Sequence, residues 1–155
     1  MLASWNNAGT AGAFAVPEGV AVDQSGTNVY IVDTGKHRIV QTTNTGALVR
    51  TWGSQGNGIG QFFNPIHAHV DTAGNLLVAD RSNHRIQKFS STGIALFVSP
   101  DTSLLNGPSG GAIDGQGRII VADTDNDRLA ILRRMTYTRP IATLVAVSAR
   151  SVVQG

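Results

Sequence analysis

Short apolar runs of Val, Ile, Leu and Ala alternate with clusters of Gly, Asn, Asp, Ser and Thr along most of the chain. In "NPIHAHVDTAGNLLVADRSNHRIQKF" (Asn64–Phe89) this punctuation predicts strands over His67–Val70, Asn75–Ala79 and Arg85–Phe89, and beyond "SSTG" a fourth over Ile94–Val98. The runs "VYIV" and "RIIVAD" lack the apolar–polar alternation of a half-exposed sheet and read as strands buried on both faces. No apolar run approaches the ~20 residues that a membrane-spanning helix requires.

The pattern is periodic. "PEGVAVDQSGTNVYIVDTGKHRIVQ" from Pro17, "PIHAHVDTAGNLLVADRSNHRIQ" from Pro65 and "PSGGAIDGQGRIIVADTDNDRLA" from Pro108 align, the prolines lying 48 and 43 residues apart. Asp33, Asp80 and Asp123 recur, each followed five residues later by Arg38, Arg85 and Arg128. A connector recurs as well: "WGSQGNGIGQFFNP" (Trp52–Pro65) echoes "WNNAGTAGAFAVP" (Trp5–Pro17). Four strands per unit at this period predict an all-β protein of about three β-propeller blades, each a four-stranded antiparallel sheet, forming a partial propeller or half of a six-bladed ring. Residues 1–16 read as the outer strand and connector of a preceding blade. The blades then fall at 17–64, 65–107 and 108–148, the last losing the pattern after Leu132, and 149–155 is a tail. Ile141–Ser148 is the expected fourth strand of the last blade.

The order Pro-x-Gly-Val-Ala-Val-Asp, then Gly-Asn, then Val-Ala-Asp-x-x-Asn-His-Arg-Ile resembles the NHL repeat, with "LLVADRSNHRIQKF" (Leu76–Phe89) closest to its core. The resemblance covers residues 5–132. It implies a β-propeller, commonly six-bladed, that serves as a platform for binding protein, RNA or carbohydrate. A minority of the family, the peptidylglycine amidating lyases, are enzymes.

Composition narrows the classes. Hydrophobic residues make up 41% and charged ones 14%, which suits a globular core and not a disordered chain. With no cysteine, disulfides and thiolate metal sites are excluded. "MLASWNNAGT" has neither the basic nor the apolar region of a secretory signal, and the compartment stays open. The net charge of +2 is uneven: residues 1–127 hold 7 Lys+Arg against 10 Asp+Glu, and residues 128–155 hold 5 Arg with no acid. The basic character therefore belongs to the end of the chain and not to the body.

The Asp–Arg pairs invite an acid–base interpretation, but catalysis needs such a pair once. Three copies at one spacing predict a structural ion pair at the turn between second and third strands. "DTDNDR" (Asp123–Arg128) starts like a calcium loop, yet Arg128 stands where that loop needs glycine and Arg134 where it needs a bidentate Glu. "GSQGNGIG" (Gly53–Gly60) looks like a phosphate-cradling loop, but no helix follows, and its counterpart at Asn6–Gly12 marks it as a connector.

His67 and His69 are the anomaly. They replace Gly19 and Gly110, and Ala21 and Ala112, on the strand after the blade proline, the innermost of each blade. Two apart on a strand, the rings share a face. They either plug the central channel or form half of a site for a divalent metal, zinc or calcium, with Glu18 at the channel mouth as the nearest further ligand. The lyase resemblance cuts against catalysis, because the metal histidines of that family directly follow the blade proline, where this chain has Glu18, Ile66 and Ser109.

A binding or interaction scaffold is the function expected, with a protein or small ligand at a propeller face or in the channel. One rival is a metal-dependent lyase or hydrolase using His67, His69 and Glu18. Another is an RNA-binding surface built on Arg133, Arg134, Arg139 and Arg150. Because the chain opens in mid-unit and its repeat lapses before its end, a fragment of a longer propeller is expected. The alternative is a homodimer closing a six-bladed ring, in which Met1–Trp5 completes the partner's last blade if Ile141–Ser148 does not hold that edge.

Overall fold

The computed structural model describes residues 4–5, 9–99, 103–133 and 145–147. Its strands form three antiparallel four-stranded sheets, each a simple meander from inner to outer strand. Blade 1 contains β1 (Pro17–Val22), β2 (Asn28–Asp33), β3 (Arg38–Thr43) and β4 (Leu48–Trp52). Blade 2 contains β5 (Pro65–Val70), β6 (Leu76–Asp80), β7 (Arg85–Phe89) and β8 (Ala95–Val98). Blade 3 contains β9 (Pro108–Ile113), β10 (Ile119–Asp123), β11 (Arg128–Arg133) and β12 (Val145–Val147). β12 pairs with β11 through Arg133–Val145, Leu132–Ala146 and Ile131–Val147. The edge that Met1–Trp5 of a second chain was expected to complete is therefore already held; Met1–Ala3 themselves lie outside the described residues, as do 149–155.

Local chemistry sets the turns. Between first and second strands an aspartate side chain folds back on the backbone: Oδ1 of Asp71 accepts the N–H groups of Ala73 (3.0 Å) and Asn75 (2.8 Å). Asp114 does the same for Gln116 and Arg118, both at 2.9 Å. Asp23 receives Thr27 at 2.9 Å and Asn28 at 3.2 Å. Such a short acceptor supplies the bonds that a tight turn denies its own backbone. Between second and third strands, each blade makes a 3-10 turn and leaves it through a left-handed residue: His37 (φ 51°), His84 (φ 53°) and Asp127 (φ 49°).

Strand period then builds the core. Alternate side chains of each middle strand face opposite neighbours. Tyr30, Val32 and Ile39 of blade 1 pack with Phe62, Ala68, Leu76, Val78 and Phe89 of blade 2 and its connector. Leu77, Ala79, Ile86 and Phe97 of blade 2 pack with Leu105, Ile119, Val121, Ala130 and Leu132 of blade 3 and its connector. The continuous apolar run of β6 is thus explained: the central strands of blade 2 are buried on both faces. Trp52 bridges the first junction, its ring edge-on to Tyr30 and tilted against Phe89.

Candidate functional site

The Asp–Arg pairs sit at the 3-10 corners. Arg85 Nε donates to Asp80 Oδ2 at 2.7 Å, Arg38 Nε to Asp33 Oδ2 at 2.7 Å, and Arg128 Nε to Asp123 Oδ2 at 2.6 Å. Each pair also grips the connector entering its own blade. The second carboxylate oxygen accepts a connector N–H from Ala15, Phe63 or Asn106, at 2.6, 2.7 and 2.6 Å. The guanidinium caps connector carbonyls, and Arg85 reaches three: Asn57 (2.6 Å), Gly58 and Gln61 (both 2.8 Å). All three aspartates are fully buried. Burial works to raise the pKa of Asp123, but the Asn106 N–H, the Asn126 amide and Arg128 outweigh it and hold the carboxyl below its ordinary value. With both oxygens engaged and the side chain buried, each of these carboxylates serves the corner.

The same engagement disposes of two sequence motifs. In "DTDNDR", Asp123 is spent on the corner and Asp125 pairs with Arg81 of blade 2 at 3.1 Å. In "GSQGNGIG", Gly58 donates to Gln61 Oε1 and Gly60 to Gln87 Oε1, both at 3.0 Å, fixing a connector against blade 2.

A second set of corner residues escaped the sequence pattern. His37 Nδ1 accepts the Asn64 N–H at 3.2 Å, and His84 Nδ1 accepts the Gly107 N–H at 3.0 Å. Each donor is the residue directly before the next blade's proline, at φ 49° and 52°. Each histidine therefore latches the start of the following blade. The signal was present in the repeat, as His37 and His84 at one register position, but their partners lie far along the chain.

His67 and His69 lie on β5. A bulge between Pro65 and His67 resets the pairing, so that His67 opposes Ala79 and His69 opposes Leu77. Ala79 and Leu77 belong to the core shared with blade 3, whereas Ala68 packs toward blade 1. The two imidazoles thus share a face, and that face is turned to blade 3. The first ring packs against the neighbouring inner strand: a Cβ on Gly110 would meet His67 Cγ at 3.7 Å, an ordinary contact distance. At the other junction the strands stand closer. A Cβ on Gly19 would lie 2.8 Å from the Ile66 carbonyl oxygen, which is why blade 1 carries glycine there. Burial, and secondarily the neighbouring His69, lowers the pKa of His67 below the usual imidazole value. Among the described residues neither ring is hydrogen-bonded to protein.

Beside His69 a cleft of about 320 Å³ opens between the inner turns of blades 2 and 3, lined by Asp71, Lys88, Ile113 and Asp114 among others. Lys88 Nζ stands 2.7 Å from Asp71 Oδ2 across its rim. Burial works to raise the Asp71 pKa, but Lys88 and Asn75 reverse it and leave the carboxyl below its ordinary value. Glu18 is the bulge residue of β1, exposed to solvent. The described residues contain no group of three His, Asp or Glu that would hold a metal ion, so Glu18 does not join the two histidines. Arg133 ends β11, and Arg134, Arg139 and Arg150 lie outside the described residues.

Comparison with known proteins agrees with this architecture. The family model of the NHL repeat matches residues 14–41 and 68–89, which take in β1, β2 and most of β3 in blade 1 and the second half of β5, β6 and β7 in blade 2. The protein brain tumor of Drosophila melanogaster is 32% identical over 123 residues, covering 77% of this chain and 12% of that protein. NHL repeat-containing protein 3 of Mus musculus is 30% identical over 125 residues, covering 70% of this chain and 36% of that one. The chain thus spans well under half of either relative. Among solved structures, a streptogramin B lyase superposes with a TM-score of 0.65 at 16% identity, over 87% of this chain and 41% of the other. At that identity the likeness is one of fold. With three four-stranded sheets in one repeating register and the repeat's own model matched in two of them, the chain belongs to the NHL-repeat β-propeller family.

Proposed function

We propose that this chain is a binding scaffold and that its ligand, a protein or small molecule, is held through His67, His69 and the cleft between blades 2 and 3. One observation carries the proposal. Two imidazoles without hydrogen-bond partners among the described residues replace the small residues of the other inner strands, and the second of them opens on a cleft with a charged rim. A ring left neutral by burial offers one donor and one acceptor, and its free nitrogen is also a metal ligand.

The pair is half of a divalent-metal site, since a zinc ion takes four ligands and no third protein group stands with the two histidines among the described residues. Any ion held there completes its shell with water or with oxygens of the ligand, and calcium, which takes oxygen ligands, suits the pair less well than zinc. Lyase chemistry has fold likeness alone behind it.

The test is titration with zinc chloride, and separately with calcium chloride, of the parent and of a His67→Ala/His69→Ala variant. Imidazole resonances and heat of binding are the readouts. Zinc is expected to shift both ring signals in the parent and to bind at least tenfold more weakly to the variant, with calcium without effect. Equal and negligible zinc binding in both proteins, with no ring shifts, would reduce the histidines to packing residues and sink the proposal.

A further inference from the structure

Blades 1 and 2 fill one position of the repeat with different side chains. On the face of blade 1 turned to blade 2, Tyr30 stands between Ala21 of the inner strand and Gln41 of the third. On the matching face of blade 2, Leu77 stands between His69 and Lys88. Both central residues are 1% exposed. The Tyr30 ring lies in the core shared with Ala68 and Phe89 of blade 2, and Val70 packs against that core. Its hydroxyl reaches the inner turn of blade 1, since burial, and after it the Asp23 carboxylate, raises the pKa of the phenol.

Blade 2 has an aliphatic side chain in place of that ring. Leu77 leans on the inner strand of blade 3, where a Cβ on Gly111 would stand 3.0 Å from Leu77 Cδ2. The cleft of about 320 Å³ is lined by both cross-strand neighbours of Leu77, His69 and Lys88, together with Asp71 and Ile113. These walls match the surroundings of the Tyr30 ring position by position: Asp71 corresponds to Asp23, Lys88 to Gln41 and Ile113 to Val70. Charge then limits the occupant. Lys88 is paired with Asp71 at 2.7 Å, and Asp114 with Arg118 at 2.6 Å. A charged ligand has to break a pair already made. A neutral hydroxyl does not, because the Lys88 ammonium has three donors and can serve it while keeping Asp71.

We infer that the cleft takes a neutral phenolic ring, seated between blades 2 and 3 as the Tyr30 ring is seated between blades 1 and 2. The ring lies against Ile113, and its hydroxyl accepts from Lys88 Nζ, with the His69 imidazole beside it. The volume is at the lower end of the ~300–1,000 Å³ of small-molecule pockets, which suits one ring and its point of attachment. The inference rests on the reading of this cleft as the ligand site and adds the chemistry of the ligand.

Titration of the isotope-labelled chain with para-cresol, followed by amide resonances, tests it, with toluene and para-toluate as controls. Para-cresol is expected to shift the signals of Asp71, Lys88 and Gly115. Toluene should bind about tenfold more weakly, for want of one hydrogen bond to a charged group, and para-toluate no better than toluene. N-acetyltyrosinamide separates the sources of the ring: tighter binding than para-cresol assigns it to a peptide, weaker binding to a free phenol. Leu77→Tyr supplies the ring from within and should abolish para-cresol binding while keeping the parent's circular dichroism. The ligand series on the parent decides the matter if that variant does not fold. Unmoved Asp71 and Lys88 signals at the solubility limit of para-cresol overturn the inference, as does toluene or para-toluate binding as well as the phenol. A parent whose histidine rings respond to zinc while the cleft ignores para-cresol loses the phenol and keeps the histidine site.

Discussion

The Arg85 guanidinium and the Asp80 carboxylate meet at 2.7 Å with side-chain exposures of 8% and 0%, and the same arginine closes three carbonyls of the connector. The corresponding arginines are progressively more open: 14% for Arg38 and 38% for Arg128. Removing one partner of a buried pair strands the other charge, at a cost of ~3–5 kcal/mol, whereas exposed pairs are worth ~1 kcal/mol or less. Urea melts of the three single alanine variants should therefore rank Arg85→Ala as most destabilised, then Arg38→Ala, then Arg128→Ala. An Arg85→Ala protein that melts like its parent would show that the corner is not a structural clamp.

Burial lowers the pKa of His67, and His69 adds to the effect. The sign follows from linkage. Because the folded state holds the proton less tightly than the unfolded chain, this group contributes stability that is complete above the unfolded value, about 6.5, and is lost as pH falls toward the folded one. Stability measured from pH 7.5 downward should decline through this window, and His67→Gln, which keeps a polar ring-sized group without a titrating nitrogen, should flatten that part of the curve. An unchanged slope in the variant would place His67 in solvent. Further down, Asp71 and Asp123, both held below the ordinary carboxylate value, contribute stability that is present above about pH 4 and lost as pH falls through their folded values.

Much of the fold was legible because its determinants are local. The turn aspartates, the corner Asp and Arg five apart, and strands of a few apolar residues each act within one unit, so three copies show the same text. The expected strand His67–Val70 begins two residues after β5, because Pro65 pairs with Asp80 across a bulge that no local pattern announces. Ile141–Ser148 was expected to supply an outer strand, and Val145–Val147 does. What the sequence hid is directional. That His67 and His69 share a face follows from strand period alone, but that the face meets blade 3, with Gly110 beside the His67 ring, depends on the order of blades in space. The roles of His37 and His84 were hidden for a related reason: their hydrogen-bond partners lie in connectors 27 and 23 residues away.

The latch between His84 and Gly107 separates acceptor chemistry from ring packing. His84 Nδ1 can receive the Gly107 N–H only while that nitrogen is unprotonated, and Gly107 must hold φ 52° to present it. Loss of the acceptor leaves a part-buried N–H unsatisfied at the seam between blades 2 and 3, costing ~1–3 kcal/mol. His84→Ala should thus lower the melting temperature and speed hydrogen exchange at the Gly107 amide more than at amides within β6 and β7. His84→Asp should recover much of both losses, since Asp127 shows that an aspartate takes the same left-handed corner at φ 49°. His84→Phe supplies a ring without an acceptor and should behave like alanine in the exchange experiment. If phenylalanine protects the Gly107 amide as well as histidine does, the corner residue works by covering the seam and not by accepting a hydrogen bond.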